Sequence, residues 1–239
     1  MLHLDLTLPT PEENLALDEA LLDAAEMAGQ PREVLRLWEP RGTVVVVGRS
    51  SHVAREVNQS ECQRRGVPIL RRASGGAAVV IGPGCLMYAL VLSYQRRPEL
   101  RAIDQAHRTV LAALVRALGP LAPDLACRGT SDMALGDEKV SGNSVRCKRE
   151  HFLYHGTLLY GFPLELIEAC LTMPPRQPEY RGGRAHAAFV RNLSADASDL
   201  RRALADVWGA DEAYASWPAE LTRKLVEEKY SQREWNYRL

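Results

Sequence analysis

An α+β fold, with mixed and mostly antiparallel sheets packed against helices, is what the sequence predicts. Three observations predict it. Runs of β-branched residues of strand length alternate irregularly with segments of helical period. Gly- and Pro-bearing turns separate them without any fixed repeat. The 239-residue length suits one domain spanning residues 1–239, long enough to bury a substantial core.

Taken in order, Thr10-Pro11-Glu12-Glu13 reads as a helix start: a hydroxyl cap, proline at the first helical position, and a glutamate that closes a capping box. Leu15, Leu17, Leu21 and Leu22 continue the period to about Ala28, and Gly29 stops it. Val34 to Trp38 and Thr43 to Val47 read as strands joined by Pro40-Arg41-Gly42, which predicts a hairpin. Asn58 to Arg65 reads as a short helix ended by Gly66, and Pro68 to Arg71 as a strand. Ser74-Gly75-Gly76 interrupts the pattern before Ala77 to Ile81, and Leu86 to Leu92 follows the turn Gly82-Pro83-Gly84. Leu100 to Leu118 has the period of a long helix. Met133 to Leu135, Lys139-Val140 and Phe152 to Tyr160 read as strands, and Leu164 to Leu171 as a helix. Pro174 to Arg184 is too rich in proline, glycine and arginine for regular structure and reads as a mobile basic loop. Asp199 to Trp208, capped by Ser198, and Pro218 to Tyr230 complete the chain as closing helices within residues 199–239.

Composition narrows the function classes. Hydrophobic residues at 46% and charged residues at 25% disfavour disordered, collagen-like and membrane classes. Thirty basic and thirty acidic side chains cancel, which removes the global electrostatic case for nucleic acid. Met1-Leu2-His3-Leu4-Asp5 has neither a basic n-region nor an apolar h-region, and no apolar run approaches the roughly 18 residues of a membrane span. A cytoplasmic location without membrane attachment is the expectation. Five scattered cysteines, none in a Cys-x-x-Cys pair, predict reduced thiols.

Two stretches carry chemistry. Arg71-Arg72-Ala73-Ser74-Gly75-Gly76-Ala77-Ala78 sets two guanidinium groups beside a small-residue backbone that phosphate oxygens can approach, and the competing reading is a tight strand connection with solvated arginines. Lys139 precedes Val140-Ser141-Gly142, where an ammonium can offset charge on a phosphoryl oxygen, and a solvated surface lysine is the plainer alternative. His155, Glu19 and Trp38 likewise divide between ligand contacts and ordinary packing. Cys127 beside Arg128, and Cys147 beside Arg146 and Lys148, are candidate thiolates, with inert cysteine as the alternative.

Taken together and in order, these segments resemble the catalytic domain of lipoate–protein ligases, within the biotin/lipoate ligase-like fold. The resemblance covers nearly the whole chain: Leu17-Asp18-Glu19-Ala20-Leu21, Leu37-Trp38, Arg71 to Val79, Ser131-Asp132, Lys139 to Ser144 with Arg146, His155-Gly156-Thr157, and Asn192-Leu193. The ending Lys229 to Asn236 is similar to the tail of short, archaeal-type members. The family's activity implies that lipoate, or octanoate, is activated by ATP with Mg²⁺ to an acyl-adenylate. The acyl group then passes to a lysine of lipoyl acceptor domains, on 2-oxoacid dehydrogenase E2 subunits or the glycine cleavage H protein.

By resemblance, Lys139 matches the essential lysine. Arg71, Ser74, Gly75, Gly76, Ala77 and Ala78 match the loop over the acyl-adenylate, with Gly142 and Asn143 also on the nucleotide side. Asp132 matches the acidic position near nucleotide and Mg²⁺. Glu19, Trp38, Arg72, Arg146, His155, Gly156 and Thr157 match substrate-pocket positions, with Trp38 lining the aliphatic channel. The Pro174 to Arg184 loop is the candidate lid, its arginines holding phosphate on closure. Ala77 replaces a usual glycine, Ile81-Gly82 a His-Asp pair, and Cys85 a common asparagine, which leaves the adenine contacts unassigned. The chain stops near residue 239, short of the accessory carboxy-terminal domain of long ligases, so a separate small accessory subunit is an expectation. Three alternatives stay open: an octanoyl or lipoyl transferase working through a Cys127 thioester without ATP, a non-catalytic module that holds lipoyl domains, and a biotin ligase.

Overall fold

Capping chemistry sets the first helix. In the computed structural model, which describes residues 1–239, Thr10 and Glu13 exchange the reciprocal bonds of a capping box in front of α1 (Pro11–Met27). A strand β1 (Leu2–Asp5), not anticipated from the sequence, precedes it. The strands β2 (Val34–Trp38) and β3 (Val44–Val47) follow as expected, but they do not form a hairpin. All nine of their residues are buried, so polarity alternation carried no information about which neighbour each would choose. β2 joins the large sheet and β3 the small one.

Next come α2 (Val53–Glu56), also unanticipated, α3 (Gln59–Arg65) capped by Asn58, β4 (Ile69–Arg71), β5 (Val79–Ile81) and β6 (Cys85–Ser93). A 3₁₀ turn leads into α4 (Ile103–Leu118), then β7 (Leu125–Arg128), β8 (Asp132–Leu135), β9 (Glu138–Cys147) and β10 (His151–Leu159). β9 runs seven residues past the Lys139-Val140 pair predicted as a strand. After α5 (Glu165–Cys170), the predicted loop holds only a 3₁₀ turn, Glu179–Arg181. α6 (Ala197–Trp208) is capped at Asp196 rather than Ser198, β11 (Glu212–Ala213) adds an edge, α7 (Ala219–Leu225) runs into a π-type turn Val226–Tyr230, and α8 (Arg233–Asn236) ends the chain.

Eight strands make one sheet in the order β11-β1-β2-β6-β10-β9-β8-β7, and three make another, β4-β3-β5. The large sheet is parallel only at β11-β1-β2. Every other pair in it is antiparallel. Strand alternation on β6 splits the core: Leu86, Tyr88, Leu90 and Leu92 face α4 and α6, while Ala89 and Val91 face α1. Each fully buried Leu or Val here contributes roughly 1.5–3 kcal/mol. A third apolar cluster joins the small sheet to α5 and to the first turns of α1. Between that cluster and the β8-β9 end of the large sheet lies a cleft.

Candidate functional site

The cleft has a volume of about 430 Å³. Val79, Ile81, Met87, Leu159, Ile167 and Leu171 give it apolar lining, and Asp132, Lys139, Asn143 and His155 give it polar groups. That mixture is typical of a small-molecule site. A larger groove of about 620 Å³ by Pro9, Arg41 and Arg65 gathers no comparable chemistry.

Lys139 is aimed by a β-bulge. Ala134 pairs with Lys139 and Met133 with Ser141, so Val140 is the extra residue in β9. On its other side the Lys139 backbone donates to Phe189 O at 2.7 Å and accepts from Arg191 N at 2.9 Å. Its Nζ lies 2.7 Å from Asp132 Oδ1, and Asp132 Oδ2 accepts the Tyr180 hydroxyl at 2.9 Å. Lys139 lies over Gly142, where a Cβ would sit 2.9 Å from Nζ and displace the amine. Gly156 is required by Asn143, whose amide occupies the place a Cβ would take. Asn143 in turn accepts from Tyr88 and donates to Ser131 O at 2.8 Å, tying the β7-β8 turn to the strands. Thr157 lines the same floor.

Hydrogen-bond accounting leaves the glycine loop with donors to spare. Arg49 N donates to Ser74 O, Arg72 and Ser144 to Gly75 O, Ser51 to Gly76 O, and Arg72 again to Ala77 O. The amides of Gly75, Gly76 and Ala77 donate to nothing in the chain, whereas Ala78 N finds Glu56 Oε2 at 2.7 Å. Carbonyls pinned inward with successive free N–H groups make a concavity that suits phosphate or carboxylate oxygens. Arg72 does the pinning and also reaches Val46 O at 3.1 Å. Burial pulls its pKa down to about 10, so it stays cationic at neutral pH.

A buried chain supports the loop from below. Arg72 Nε donates to Ser74 Oγ at 3.2 Å, and Ser74 Oγ lies 2.6 Å from His155 Nε2. His155 Nδ1 is 3.4 Å from Asp18 Oδ2, and Asp18 Oδ1 is 2.6 Å from Arg36. This order of donors assigns the proton of a neutral His155 to Nδ1. The ion pair Asp18–Arg36 closes the chain in the core, where Arg36 also reaches Asn14 and Leu6 O.

The cleft thus gathers Arg72, Gly76, Ala77, Ala78, Asp132, Lys139, Gly142, Asn143, His155, Gly156 and Thr157, with Ser74 and Gly75 bonded directly behind them. Other residues named from the resemblance lie elsewhere. Arg71 spends its guanidinium on the carbonyls of Gly48, Ser51, Trp235 and Asn236, as a tie to α8. Arg71, the last residue of β4, and Arg72, the first beyond it, bond to different partners and do not share one role. Glu19 is held by Lys229 and Tyr230, each at 2.7 Å. Trp38 is fully buried core beneath Arg36 rather than channel lining. Arg146 is half-buried on β9, with no partner in the chain. Cys127 is exposed on β7, off the cleft, and partial desolvation of its thiol pushes its pKa up, away from a reactive thiolate.

Asp18, Glu56 and Tyr180 were missed. Asp18 had a signal: it falls on the apolar stripe of α1 between Leu15 and Leu22, where a carboxylate needs a buried partner. Asp132 does not fit a resident Mg²⁺ site. Lys139 and Tyr180 engage both its oxygens, and no three His, Cys, Asp or Glu side chains gather anywhere to hold a metal.

Comparison with known proteins follows the same lines. The profile of the lipoyl protein ligase A/B catalytic domain matches residues 10–203. A protein of Aeropyrum pernix assigned as lipoate-protein ligase A is 33% identical over 63% of this chain and 54% of its own length. The chain spans about half the length of the curated relatives it matches first. Among solved structures, the bipartite lipoate protein ligase of Thermoplasma acidophilum has a TM-score of 0.83 at 24% identity, covering 99% of this chain and 95% of that one. A lipoate-protein ligase A bound with ATP also has a TM-score of 0.83, at 23% identity and covering 99% and 98% of the two chains. No helix of the structure is long and apolar enough to cross a membrane.

Proposed function

The chain belongs to the lipoyl protein ligase A/B catalytic-domain family, and from that premise we propose that it is a lipoate–protein ligase: it activates lipoate with ATP and transfers the acyl group to a lysine of a lipoyl acceptor domain. The observation that carries the reading is the Lys139 amine laid over Gly142, in one cleft with the free amides of the glycine loop. Residues 1–239 act as one catalytic unit. The acceptors are E2 lipoyl domains and the glycine cleavage H protein, in the cytoplasm, and an accessory subunit supports the first half-reaction.

A carboxylate oxygen of lipoate attacks the α-phosphorus of ATP, the bond to the β-phosphate oxygen breaks, and pyrophosphate leaves with that electron pair. Lys139 offsets the charge that builds on the α-phosphoryl oxygens, a contribution of about 10²–10³ in rate for one positioned donor. The amides of Gly75 to Ala77, on a loop ordered by Ser74, His155 and Asp18, hold the carboxylate and phosphate oxygens. The mixed anhydride then waits under the Pro174 to Arg184 cover, out of reach of water. The neutral acceptor amine adds to the acyl carbon, the carbon–oxygen bond to phosphate breaks, AMP leaves, and the nitrogen gives its extra proton to solvent. Any divalent cation in this scheme travels with the nucleotide's phosphates. With Cys127 off the cleft, nothing favours a thioester route.

Exchange of labelled pyrophosphate into ATP, run with lipoate, octanoate and biotin, tests the reading. Lipoate- or octanoate-dependent exchange that falls by about 10²–10³ in Lys139→Ala is expected. Equal exchange in that variant, or exchange with biotin alone, overturns it. Full-rate lipoylation of an acceptor by the purified chain alone would remove the accessory subunit from the scheme.

A further inference from the structure

The cover carries three arginines in three different states. Arg184 is spent within the fold: it donates to Arg181 O, Ala188 O, Asp137 O and Tyr180 O. Arg176 is exposed at the mouth of the cleft. Arg181 is only 3% exposed and makes a single hydrogen bond, Nε to Arg184 O at 2.9 Å. It has no ion pair, and its Nη2 is buried without any partner. Its guanidinium lies on the Phe189 ring, 4.6 Å from the centroid, and it lines the same cleft as Lys139.

A guanidinium taken out of water needs an anion or a full set of acceptors, and an aromatic face replaces neither. Lys139 has its counter-charge in Asp132. For Arg181 the acids that bear on it, Glu168 and Asp132, stop short of contact, and burial lowers its pKa. An unpaired cation at the wall of a cleft, across from a loop of free amides, describes half of an ion pair whose other half arrives from outside.

We propose that Arg181 is a polyphosphate-binding residue: Nη2 takes the β- and γ-phosphate oxygens of ATP, and then the departing pyrophosphate. The inference rests on the ligase reading above and adds to it the place of the leaving group. As the α-phosphorus to bridging-oxygen bond breaks, one further negative charge forms on the pyrophosphate, and a fixed guanidinium on the cover is bidentate to such an oxyanion. This separates two cations by task, Lys139 at the α-phosphate and Arg181 beyond it.

Titration of the full chain with inorganic pyrophosphate, ATP and AMP, followed by calorimetry, tests this in the parent, Arg181→Gln and Arg181→Lys. In Arg181→Gln, affinity for pyrophosphate and ATP is expected to fall tenfold or more, while AMP stays within twofold. Arg181→Lys restores part of the loss, because it returns the charge without the fork. The parent's thermal midpoint should rise with pyrophosphate, and that of Arg181→Gln should not. Unchanged pyrophosphate affinity in Arg181→Gln overturns the proposal, as does an equal loss for AMP, which would mean a general disturbance of the cover. A parent that binds ATP and pyrophosphate but forms no acyl-adenylate even with an accessory subunit supplied sinks the ligase reading and leaves the subsite. A parent that forms the adenylate, with a KM for pyrophosphate indifferent to Arg181→Gln, sinks the subsite and leaves the ligase.

Discussion

The glycine loop from Arg72 to Ala78 and the cover, Pro174 to Arg184 with His186 just after it, face one cleft, yet they are held in opposite ways. The loop is bonded to β3 and the turn after it, to α2, to β9 and to β10. The cover hydrogen-bonds to the rest of the protein through Tyr180 to Asp132, Arg184 to Asp137 O and Ala188 O, and His186 to Thr172 O, and it stacks Tyr180 and Arg181 on Phe189. On the proposed function, a receptor for developing charge gains from being fixed beforehand, and a cover that opens gains from being held by a few hydrogen bonds and one aromatic ring. Perturbing the loop should therefore change chemistry or stability. Perturbing the cover should change opening.

The largest effect is expected at the root of the fixed side. Asp18→Asn leaves the Arg36 guanidinium buried without its counter-charge, though still bonded to Asn14 and Leu6 O. Removing one partner of a buried pair costs about 3–5 kcal/mol, and urea denaturation should show a loss of that order. A loss under about 1 kcal/mol would mean that the backbone carbonyls alone carry Arg36, and that the loop is not rooted in this pair.

Next is Gly142→Ala, which separates positioning of the amine from stability. The added Cβ meets the far end of a flexible lysine, 2.9 Å from Nζ and 3.0 Å from Cε, so the side chain can yield while the backbone stays. Adenylate formation should fall about tenfold, equivalent to about 1.4 kcal/mol in the barrier. The denaturation midpoint should hardly move. Equal rates in parent and variant would show that the amine works from some other place than the one it occupies over Gly142.

These two sites also show what was legible beforehand. The Lys139-Val140-Ser141-Gly142 spacing gave the lysine and its glycine, but not that the glycine makes room for the lysine rather than for substrate, since the bulge that turns Lys139 depends on β8. Thr10 and Glu13 announced α1 because a cap is local chemistry. The β2-β3 hairpin failed because strand partners are chosen across the fold, and fully buried valines look alike to every neighbour. Glu19 was preferred to Asp18 on motif alone. Both are buried acids on α1, and only the packing of the π-type turn against Glu19 and of Arg36 against Asp18 tells them apart.

On the cover, Tyr180→Phe removes the hydroxyl lent to Asp132 and leaves the ring on Phe189, whose centroid is 5.2 Å away. A hydrogen bond to a charged group is worth about 1.5–3 kcal/mol, and this one is only part-buried, so opening should become easier by about 1 kcal/mol. Limited proteolysis within residues 174–186 should then run about fivefold faster than in the parent, and a bound adenylate analogue should slow both. Equal cleavage with and without the analogue would deny that the segment is a cover at all.

The smallest effect is a pH dependence of the same segment. His186 donates from Nε2 to Thr172 O at 3.1 Å, and burial holds its pKa below the ordinary value of 6.5. A histidine kept neutral in the closed state is protonated first in the open one. Its contribution is therefore complete above pH 6.5 and is lost as the pH falls below that toward the closed-state value, with a slope of at most about 1.4 kcal/mol per pH unit. Amide exchange across residues 174–186, corrected for intrinsic rates, should reveal more opening at pH 5.5 than at 7.5 in the parent. His186→Gln should flatten that difference, because glutamine can donate to the same carbonyl but does not titrate. His107, also depressed by burial and bonded to Tyr154, carries the same sign into global stability. Its effect should survive in His186→Gln and appear equally in amides of the large sheet, so a flat profile confined to the cover assigns the local term to His186.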